Sequence, residues 1–391
     1  MSRGGLPVGR HFVPLTLLWL AGGALRLTVL AVPPVLPLIH ADLGLSEAAV
    51  GALGSLPSLV FAFAAVPGSL LIARFGARPT LVAGLLLTAL AAAVRGAAGD
   101  VALLYLTTLL MSAGVAVMQP ALPPLVRSWV PERIGFATAV YTNGLLVGET
   151  LAVALTIPLV LPLVAGSWRW SFAVWAIPVL ATALLVAALA PRGDDSVAGN
   201  GRRWWPDWRD PLVWRLSFML GGVNTIYFGT NTFLPDYLTS LGRADLIGSA
   251  LTALNLCQLP ASLLMLWVAQ RLARRRWPFI ALGALVLASV LGIVAMPGGA
   301  IVWWSGVIGF ANAAMLILML ALPPLLSPPD DVHRMSAAMF TISYPCAVAI
   351  PILAGIAWDA TRLPDVSFAA IGLCAVVIIA LAATVDLTPR R

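Results

Sequence analysis

The sequence is divided into apolar stretches that are each long enough to cross a lipid bilayer. A helix needs about 20 apolar residues to span ~30 Å of hydrocarbon. Hydrophobic residues make up 60% and charged residues 10% of the 391-residue chain, against about 45–50% and about 25% in soluble domains. A soluble fold is therefore excluded, and the sequence predicts an all-α integral membrane protein. We expect twelve transmembrane helices, at 12–39, 46–73, 79–98, 101–126, 134–162, 168–190, 212–237, 246–270, 277–296, 301–326, 334–358 and 365–386.

The arginines predict which side of the membrane each loop faces. The net charge is +7, and every basic residue is Arg. With the N-terminus inside, eighteen arginines flank the cytoplasmic ends of the spans and only Arg95, Arg169, Arg243 and Arg362 flank the other ends. The positive-inside rule then predicts that both termini are cytoplasmic. Because the basic residues are spread over the loops, nucleic acid is not an expected partner.

The two halves of the chain repeat each other. The segments that correspond occur in the same order and at a nearly constant offset of about 200 residues, which chance does not explain. We predict two six-helix units, 1–190 and 212–391, joined by a cytoplasmic linker at 191–211 that carries eight charges. Parallel repeats of this kind build many secondary transporters. The corresponding segments are ALPPL at 121–125 and 321–325, Gly22-Gly23 and Gly221-Gly222, LPLIHADLG at 36–44 and LPDYLTSLG at 234–242, and ARFGARP at 73–79 and QRLARRRWP at 270–278.

The loop SLLIARFGARP at 69–79 resembles the loop signature of the major facilitator superfamily. Arg74, Gly76 and Arg78 stand at signature positions, and Ala73 stands where the signature has Asp. The resemblance implies the major facilitator fold, a conformational loop formed by the three matching residues, alternating access, and a place in a bacterial inner membrane. We expect the carrier to work as a monomer among membrane lipids. Segments 25–39, 121–148, 166–176 and 230–242 are similar to the cyanate/2-nitroimidazole transporter branch.

Two charged residues fall in the middle of predicted spans, where a charge costs ~2.5–3.5 kcal/mol even on insertion scales. Arg26 in the first span offers a planar fork of donors that fits a small anion, and the resemblance implies the same role. Packing against backbone carbonyls is the alternative. Glu149 in the fifth span is a candidate proton carrier for coupling. The alternatives are a fixed ion pair with Arg26, a neutral acid hydrogen-bonded within the bundle, or a contact to a polar part of the substrate. Arg95, near an outer span end, is expected to reach the membrane surface.

Seven polar residues at mid-depth complete the predicted substrate site. In the major facilitator fold, the spans that carry them surround a central cavity. Each residue is equally consistent with an interhelical hydrogen bond worth about 0.6 kcal/mol. Residues three apart on one helix, such as Asn224 and Tyr227, share a face. The seven candidates are Tyr141, Asn224, Tyr227, Asn255, Gln258, Asn312 and Tyr344, and Asn143 lies at a similar depth in the fifth span.

The sequence contains no pattern typical of an enzyme or a cofactor site. The histidines, at 11, 40 and 333, fall near span ends, and the three cysteines lie in apolar runs without metal-ligand spacing. A phosphate-binding Walker loop requires a lysine, and the chain has none. We therefore expect no catalytic residue, metal or cofactor, and no use of ATP.

These observations predict a secondary active transporter for a small anionic or polar solute, coupled to H⁺ or to exchange of another anion. A membrane potential of ~100 mV opposes the entry of each negative charge by about 2.3 kcal/mol, so uptake needs such coupling. The alternatives are a drug or metabolite efflux carrier of the same fold and, from another class, an integral-membrane enzyme or sensor.

Overall fold

The structure, a computed structural model, describes residues 11–191, 203–296 and 298–388. Within these ranges it contains no strand, and eleven helical segments are long and apolar enough to cross a membrane. A twelfth, α7, has 30 residues and is more polar because it carries Asn224, Tyr227 and Asn231. The segments are α1 Phe12–Leu43, α2 Glu47–Phe75, α3 Ala77–Arg95, α4 Val101–Trp129, α5 Pro131–Leu163, α6 Trp168–Leu189, α7 Pro211–Ser240, α8 Ala244–Leu272, α9 Trp277–Ala295, α10 Ala300–Leu326, α11 Pro329–Thr361 and α12 Asp365–Thr384.

Several segments are interrupted where a proline removes a backbone donor. In α1 a 3₁₀ turn at Pro33–Val35 separates Phe12–Leu30 from Leu36–Leu43. In α4 the 3₁₀ turn Gln119–Ala121 ends on the first residue of the ALPPL repeat, because Pro120 cannot donate to the preceding turn. The equivalent stretch of α10 lacks that extra proline and stays helical throughout. The two copies of the motif therefore differ only at Ala121, since residues 122–125 are α-helical like the equivalent residues of α10.

The packing of the helices repeats with the sequence. In the first half, α1–α6, α1 packs on α5, and α3 packs on α4 and α6. In the second half, α7–α12, α7 packs on α11, and α9 packs on α10 and α12. The halves meet through two equivalent pairs, α2 with α11 and α5 with α8. The predicted boundaries at 190 and 212 stay a prediction, since residues 192–202 of the linker lie outside the described residues, as do 1–10 and 389–391 at the termini.

The two ends of the bundle differ. We call the end that holds residues 203–210 the linker end, and the other the opposite end. At the linker end, Arg127 Nη1 donates to the carbonyls of Pro324, at 3.1 Å, and Ser327. Gln270 Oε1 accepts from Gly135 N at 2.7 Å. Toward the opposite end a cavity of about 600 Å³ lies between α1 and α5 on one side and α7 and α8 on the other. The halves are thus joined at the linker end and separated beyond mid-depth.

Candidate functional site

Glycines bring α1 and α5 into backbone contact and so fix the positions of both mid-span charges. A Cβ on Gly22 would lie 1.9 Å from the carbonyl oxygen of Tyr141, and one on Gly144 would lie 2.1 Å from that of Trp19. Only glycine allows helices to approach this closely. Arg26 follows Gly22 by about one helical turn, and Glu149 follows soon after Gly144 on the partner helix. The two charges therefore sit on one interlocked helix pair.

The Arg26 side chain has unused hydrogen-bonding capacity. Its Nε is buried and has no hydrogen-bond partner in the described part of the chain. Its Cζ lies 6.0 Å from the centroid of the Phe228 ring, and Glu149, Tyr227 and Tyr344 interact with it electrostatically. An unpaired buried donor costs about 1–3 kcal/mol, and more when it is charged. An anion that accepted this hydrogen bond would remove that cost.

Glu149 hydrogen-bonds Tyr227 rather than forming the ion pair with Arg26 that the sequence allowed. Tyr227 Oη also lies 2.8 Å from Asn255 Oδ1. Asn255 Nδ2 donates to Asn231 Oδ1 at 3.0 Å, and Asn231 Nδ2 donates back to the Tyr227 carbonyl at 2.9 Å. These four side chains form a continuous network that joins α5 of the first half to α7 and α8 of the second.

The predicted polar residues are divided between two cavities. Deeper toward the linker end, an enclosed cavity of about 30 Å³ lies beside Arg26. A water needs ~10–15 Å³ measured this way, so the space holds one or two waters or a very small ion. The larger cavity lies toward the opposite end. Arg26, Tyr141, Asn224 and Tyr344 line the enclosed cavity, and Glu149, Tyr227, Asn255 and Gln258 line the larger one.

One predicted residue lies apart from both cavities, and two polar groups that line them were not among the predicted site residues. Asn312 on α10 is 3% exposed, and its Oδ1 has no hydrogen-bond partner in the described ranges. Gln119 lines the enclosed cavity and donates to Tyr344 Oη at 2.9 Å. Asn231 lies four residues after Tyr227, a spacing that places both on one helix face and could have identified it. Asn143 accepts from Trp19 Nε1 at 2.9 Å and donates to Ser262 Oγ at 2.8 Å, so it joins helices.

The loop with the major facilitator signature is a tight, capped turn at the linker end. Gly76 ends α2 with φ 92°, a conformation that favours glycine. Arg78 Nη2 donates to the Ala187 carbonyl at 2.7 Å and so ties α3 to the last turn of α6. Arg74 lies over Phe75, 5.4 Å from the ring centroid. Its role in conformational change stays a prediction.

The prediction that Arg95 reaches the membrane surface is wrong. The residue is 0% exposed, and its Nη2 donates to the Thr28 carbonyl at 2.9 Å. Its Cζ lies 4.0 Å from the centroid of the Phe172 ring. The Thr28 carbonyl is near the end of the first helical piece of α1, where Val32 N bonds the Val29 carbonyl instead. Arg95 therefore satisfies a backbone acceptor close to the break in α1.

Comparison with known families agrees with this architecture. The model of the Major Facilitator Superfamily matches residues 18–351. The chain belongs to the major facilitator superfamily. This membership and the helical architecture confirm the predicted family and fold, and they make the protein a multi-pass membrane transporter rather than an enzyme.

The chain is similar to characterised bacterial members of the superfamily over most of its length. It is 27% identical to the cyanate transport protein CynX of Escherichia coli (strain K12), covering 94% of this chain and 96% of that protein. It is 27% identical to the 2-nitroimidazole transporter of the same strain, covering 86% of each. The crystal structure of FucP in its outward conformation superposes with a TM-score of 0.77, 16% identity, and coverage of 96% of this chain and 99% of that one. The predicted resemblance to the cyanate/2-nitroimidazole branch is thus confirmed.

Proposed function

We propose that this facilitator moves a small anion across a bacterial inner membrane and that Arg26 is the residue that binds it. The observation that carries the proposal is the buried Arg26 Nε, which has no hydrogen-bond partner in the described structure, together with the small cavity that the Arg26 side chain lines. A guanidinium fork matches the acceptors of cyanate, nitrate or a carboxylate. The similarity to a cyanate transport protein supports the same substrate class.

The remaining polar residues assist Arg26 from both halves. Tyr141 on α5 comes from the first half, and Asn224 and Tyr344 from the second, so an anion at Arg26 would contact both units. Alternating access is rocking of such units around a site at their interface. Tyr227, Asn255 and Gln258 line the approach from the larger cavity. We assign Asn312 a lesser role, since it lines neither cavity.

A second candidate function is export of drug-sized neutral or acidic compounds. The larger cavity, of about 600 Å³, falls within the ~300–1,000 Å³ range of drug-sized ligand sites. Much of its wall is apolar, including Leu146, Val153 and Leu256. The similarity to a 2-nitroimidazole transporter is consistent with this function too.

A thermal-shift screen of the purified protein distinguishes the two functions. Cyanate, nitrate, small carboxylates and 2-nitroimidazole are added at increasing concentration, and a bound ligand raises the unfolding temperature in proportion to log concentration at saturation. Under the proposal, anions stabilise the wild type and lose their effect on Arg26→Ala. Arg26→Lys should retain little of the stabilisation by anions, because the point charge of an ammonium replaces the bidentate fork of a guanidinium.

The exposed Arg243, which pairs with Asp245 at the opposite end, provides the matched control. Arg243→Gln removes one positive charge and should bind anions like the wild type. Stabilisation by 2-nitroimidazole alone would favour the second function. Equal anion stabilisation of wild type and Arg26→Ala would show that Arg26 is structural.

We also propose that the linker end faces the cytoplasm, with both termini on that side. The arginine count supports this orientation. A cysteine introduced at Ser196, in the linker outside the described residues, tests it with an impermeant thiol reagent. We expect labelling in inverted vesicles only, and labelling in intact cells would reverse the orientation. We also propose that the carrier works as a monomer. Light scattering of the detergent-solubilised protein, which gives its molecular mass, tests this proposal.

A further inference from the structure

The hydroxyl of Tyr227 lies between two hydrogen-bond acceptors. On one side is Glu149 Oε1 and on the other, at 2.8 Å, is Asn255 Oδ1. A tyrosine hydroxyl has one hydrogen and can donate to only one acceptor at a time. An ionised Glu149 can only accept hydrogen bonds. If Glu149 were ionised, the Tyr227 hydroxyl could donate to Glu149 or to Asn255, and its contact with the other would place two oxygen lone pairs against each other.

Rotating the Asn255 amide does not remove this conflict. Asn255 Nδ2 donates to the Leu251 carbonyl at 2.9 Å as well as to Asn231 Oδ1. Asn231 is oriented in turn by its bond to the Tyr227 carbonyl. A backbone carbonyl only accepts, so exchanging N and O in either amide would set an acceptor against an acceptor. Gln258 Nε2, 3.4 Å from Asn255 Oδ1, also requires oxygen at that position.

One additional proton on Glu149 satisfies every contact. The protonated carboxyl donates to Tyr227 Oη, Tyr227 donates to Asn255 Oδ1, Asn255 donates to Asn231, and Asn231 donates to the Tyr227 carbonyl. Each donor then has one acceptor. Water in the larger cavity, which Glu149 lines, supplies and removes the proton, and no other bond is made or broken.

Arg26 opposes this proton when the anion site is empty. Arg26 on α1 and Tyr227 on α7 are titratable groups that interact with Glu149. The α8 helix faces it with the amides Asn255 and Gln258, and α10, which also packs on α5, has no titratable side chain. The positive charge of Arg26 favours ionised Glu149. An anion bound to Arg26 cancels that effect.

We infer that Glu149 binds one proton together with the anion and that the protonated carboxyl then fastens α5 of the first half to α7 and α8 of the second. The inference deepens the proposed function and rests on it for the anion. By linkage, each of the two ligands raises the affinity for the other by the same factor, typically about 5–150-fold. The carrier would thus be an anion–proton symporter in which loss of the proton loosens the contact between the halves.

The first test measures proton uptake on binding. Cyanate is added to purified wild-type protein in weakly buffered solution, and the change in pH is recorded. For a coupling of about 5–150-fold we expect at most about 0.4–0.9 proton taken up per bound cyanate, and cyanate affinity about 5-fold or more higher in mildly acidic than in mildly alkaline solution. Glu149→Gln, whose amide donates to Tyr227 as the protonated acid does, should bind cyanate with no proton uptake and no pH dependence. Equal uptake by the two proteins would overturn the inference.

The second test does not require an anion. Infrared difference spectra of the substrate-free protein are recorded on acidification, and we expect a protonated-carboxyl band that Glu149→Gln lacks. Tyr227→Phe removes the hydroxyl that accepts the hydrogen bond from protonated Glu149. The carboxyl band should therefore shift in frequency and appear only in stronger acid. Tyr237→Phe is the matched control, since the Tyr237 hydroxyl bonds Asp365 at 2.9 Å within the second half, and it should leave the band unchanged.

These readouts separate failure of the inference from failure of the proposed function. Absence of a band specific to Glu149 overturns the inference even if cyanate binds. A band without cyanate binding leaves Glu149 as a proton site and rejects cyanate as the anion.

Discussion

The helix pair α1–α5 touches through its backbones, whereas the equivalent pair α7–α11 touches through side chains. A Cβ on Gly22 would lie 1.9 Å from a carbonyl oxygen of α5. At the repeat-related position, a Cβ on Gly221 would lie 3.1 Å from the Cys346 side chain. The glycine pair is common to both repeats, but the contact that it permits is not. At this depth the helices of the first pair therefore approach each other more closely than those of the second pair.

The same two helix pairs differ in the chemistry that they present. The α1–α5 pair carries both charged residues, Arg26 and Glu149. In contrast, α7 and α8 contribute neutral polar side chains, Tyr227, Asn231 and Asn255. Charges that must act on one another gain from a fixed separation. Neutral partners on the other half can be released at lower cost than an ion pair, because a buried charge left alone is expensive. This division suits a site that must open and close.

The largest effect is expected from filling the backbone contact. Gly22→Ala puts a methyl group against carbonyl atoms that cannot move without separating α1 from α5, and overpacking of this kind costs about 1–3 kcal/mol or more. We expect little folded protein, measured as monodisperse yield in detergent. Gly221→Ala is the matched change in the second half. Its cost is reduced by the gain of ~0.5–1 kcal/mol from replacing helical glycine, and similar yields of the two variants would contradict the comparison.

An intermediate effect is expected from Asn143, which links the α1–α5 pair to α8 through Trp19 and Ser262. Asn143→Leu removes two hydrogen bonds, each worth about 0.5–1.5 kcal/mol, and weakens the closed linker end. Maleimide labelling of a cysteine at the buried Ala269, in a background without native cysteines, should accelerate about 5–30-fold. Asn224→Leu removes a bond to Ser343 within the second half and should change that rate much less. Equal rates in the two variants would show that Asn143 does not hold the halves together.

Much of the fold follows from properties that the sequence carries locally. Apolar length indicated the twelve spans, because it depends only on neighbouring residues, and segments repeated about 200 residues apart predicted their grouping. The depth of Arg26 and Glu149 also follows from counting residues along a helix. The break at Gln119–Ala121 was not predicted, although Pro120 in front of ALPPL is a local signal for it.

The partners within the site were less predictable because they depend on helix rotation and on contacts between distant segments. Glu149 and Tyr227 are 78 residues apart on different halves, and the sequence does not specify which of their helix faces meet. For the same reason Arg95, near a span end, was expected at the surface but turns inward to the Thr28 carbonyl. Asn312 was included on depth alone, and depth does not determine which way a side chain points.

The smallest effect is expected from substitutions in the contact between the first and sixth helices of each half, α1 with α6 and α7 with α12. In the first half Asp42 pairs with Arg169 at 2.6 Å, and both side chains are partly exposed. In the second half the buried Tyr237 bonds Asp365 instead. Asp42→Asn keeps an acceptor for Trp168 Nε1 but loses the ion pair, worth about 0.2–1 kcal/mol when exposed.

Salt distinguishes these two ties. Exposed charges are screened within about 3 Å at ~1 M salt, so the difference in unfolding temperature between wild type and Asp42→Asn should shrink as salt is added. Tyr237→Phe removes a neutral donor from a buried position, and its effect should persist in high salt. If the Asp42→Asn difference were equally resistant to salt, the interaction lost in the variant would not be a solvent-screened ion pair. The two halves would then use the same kind of tie, and their difference would be confined to the helix pairs at mid-depth.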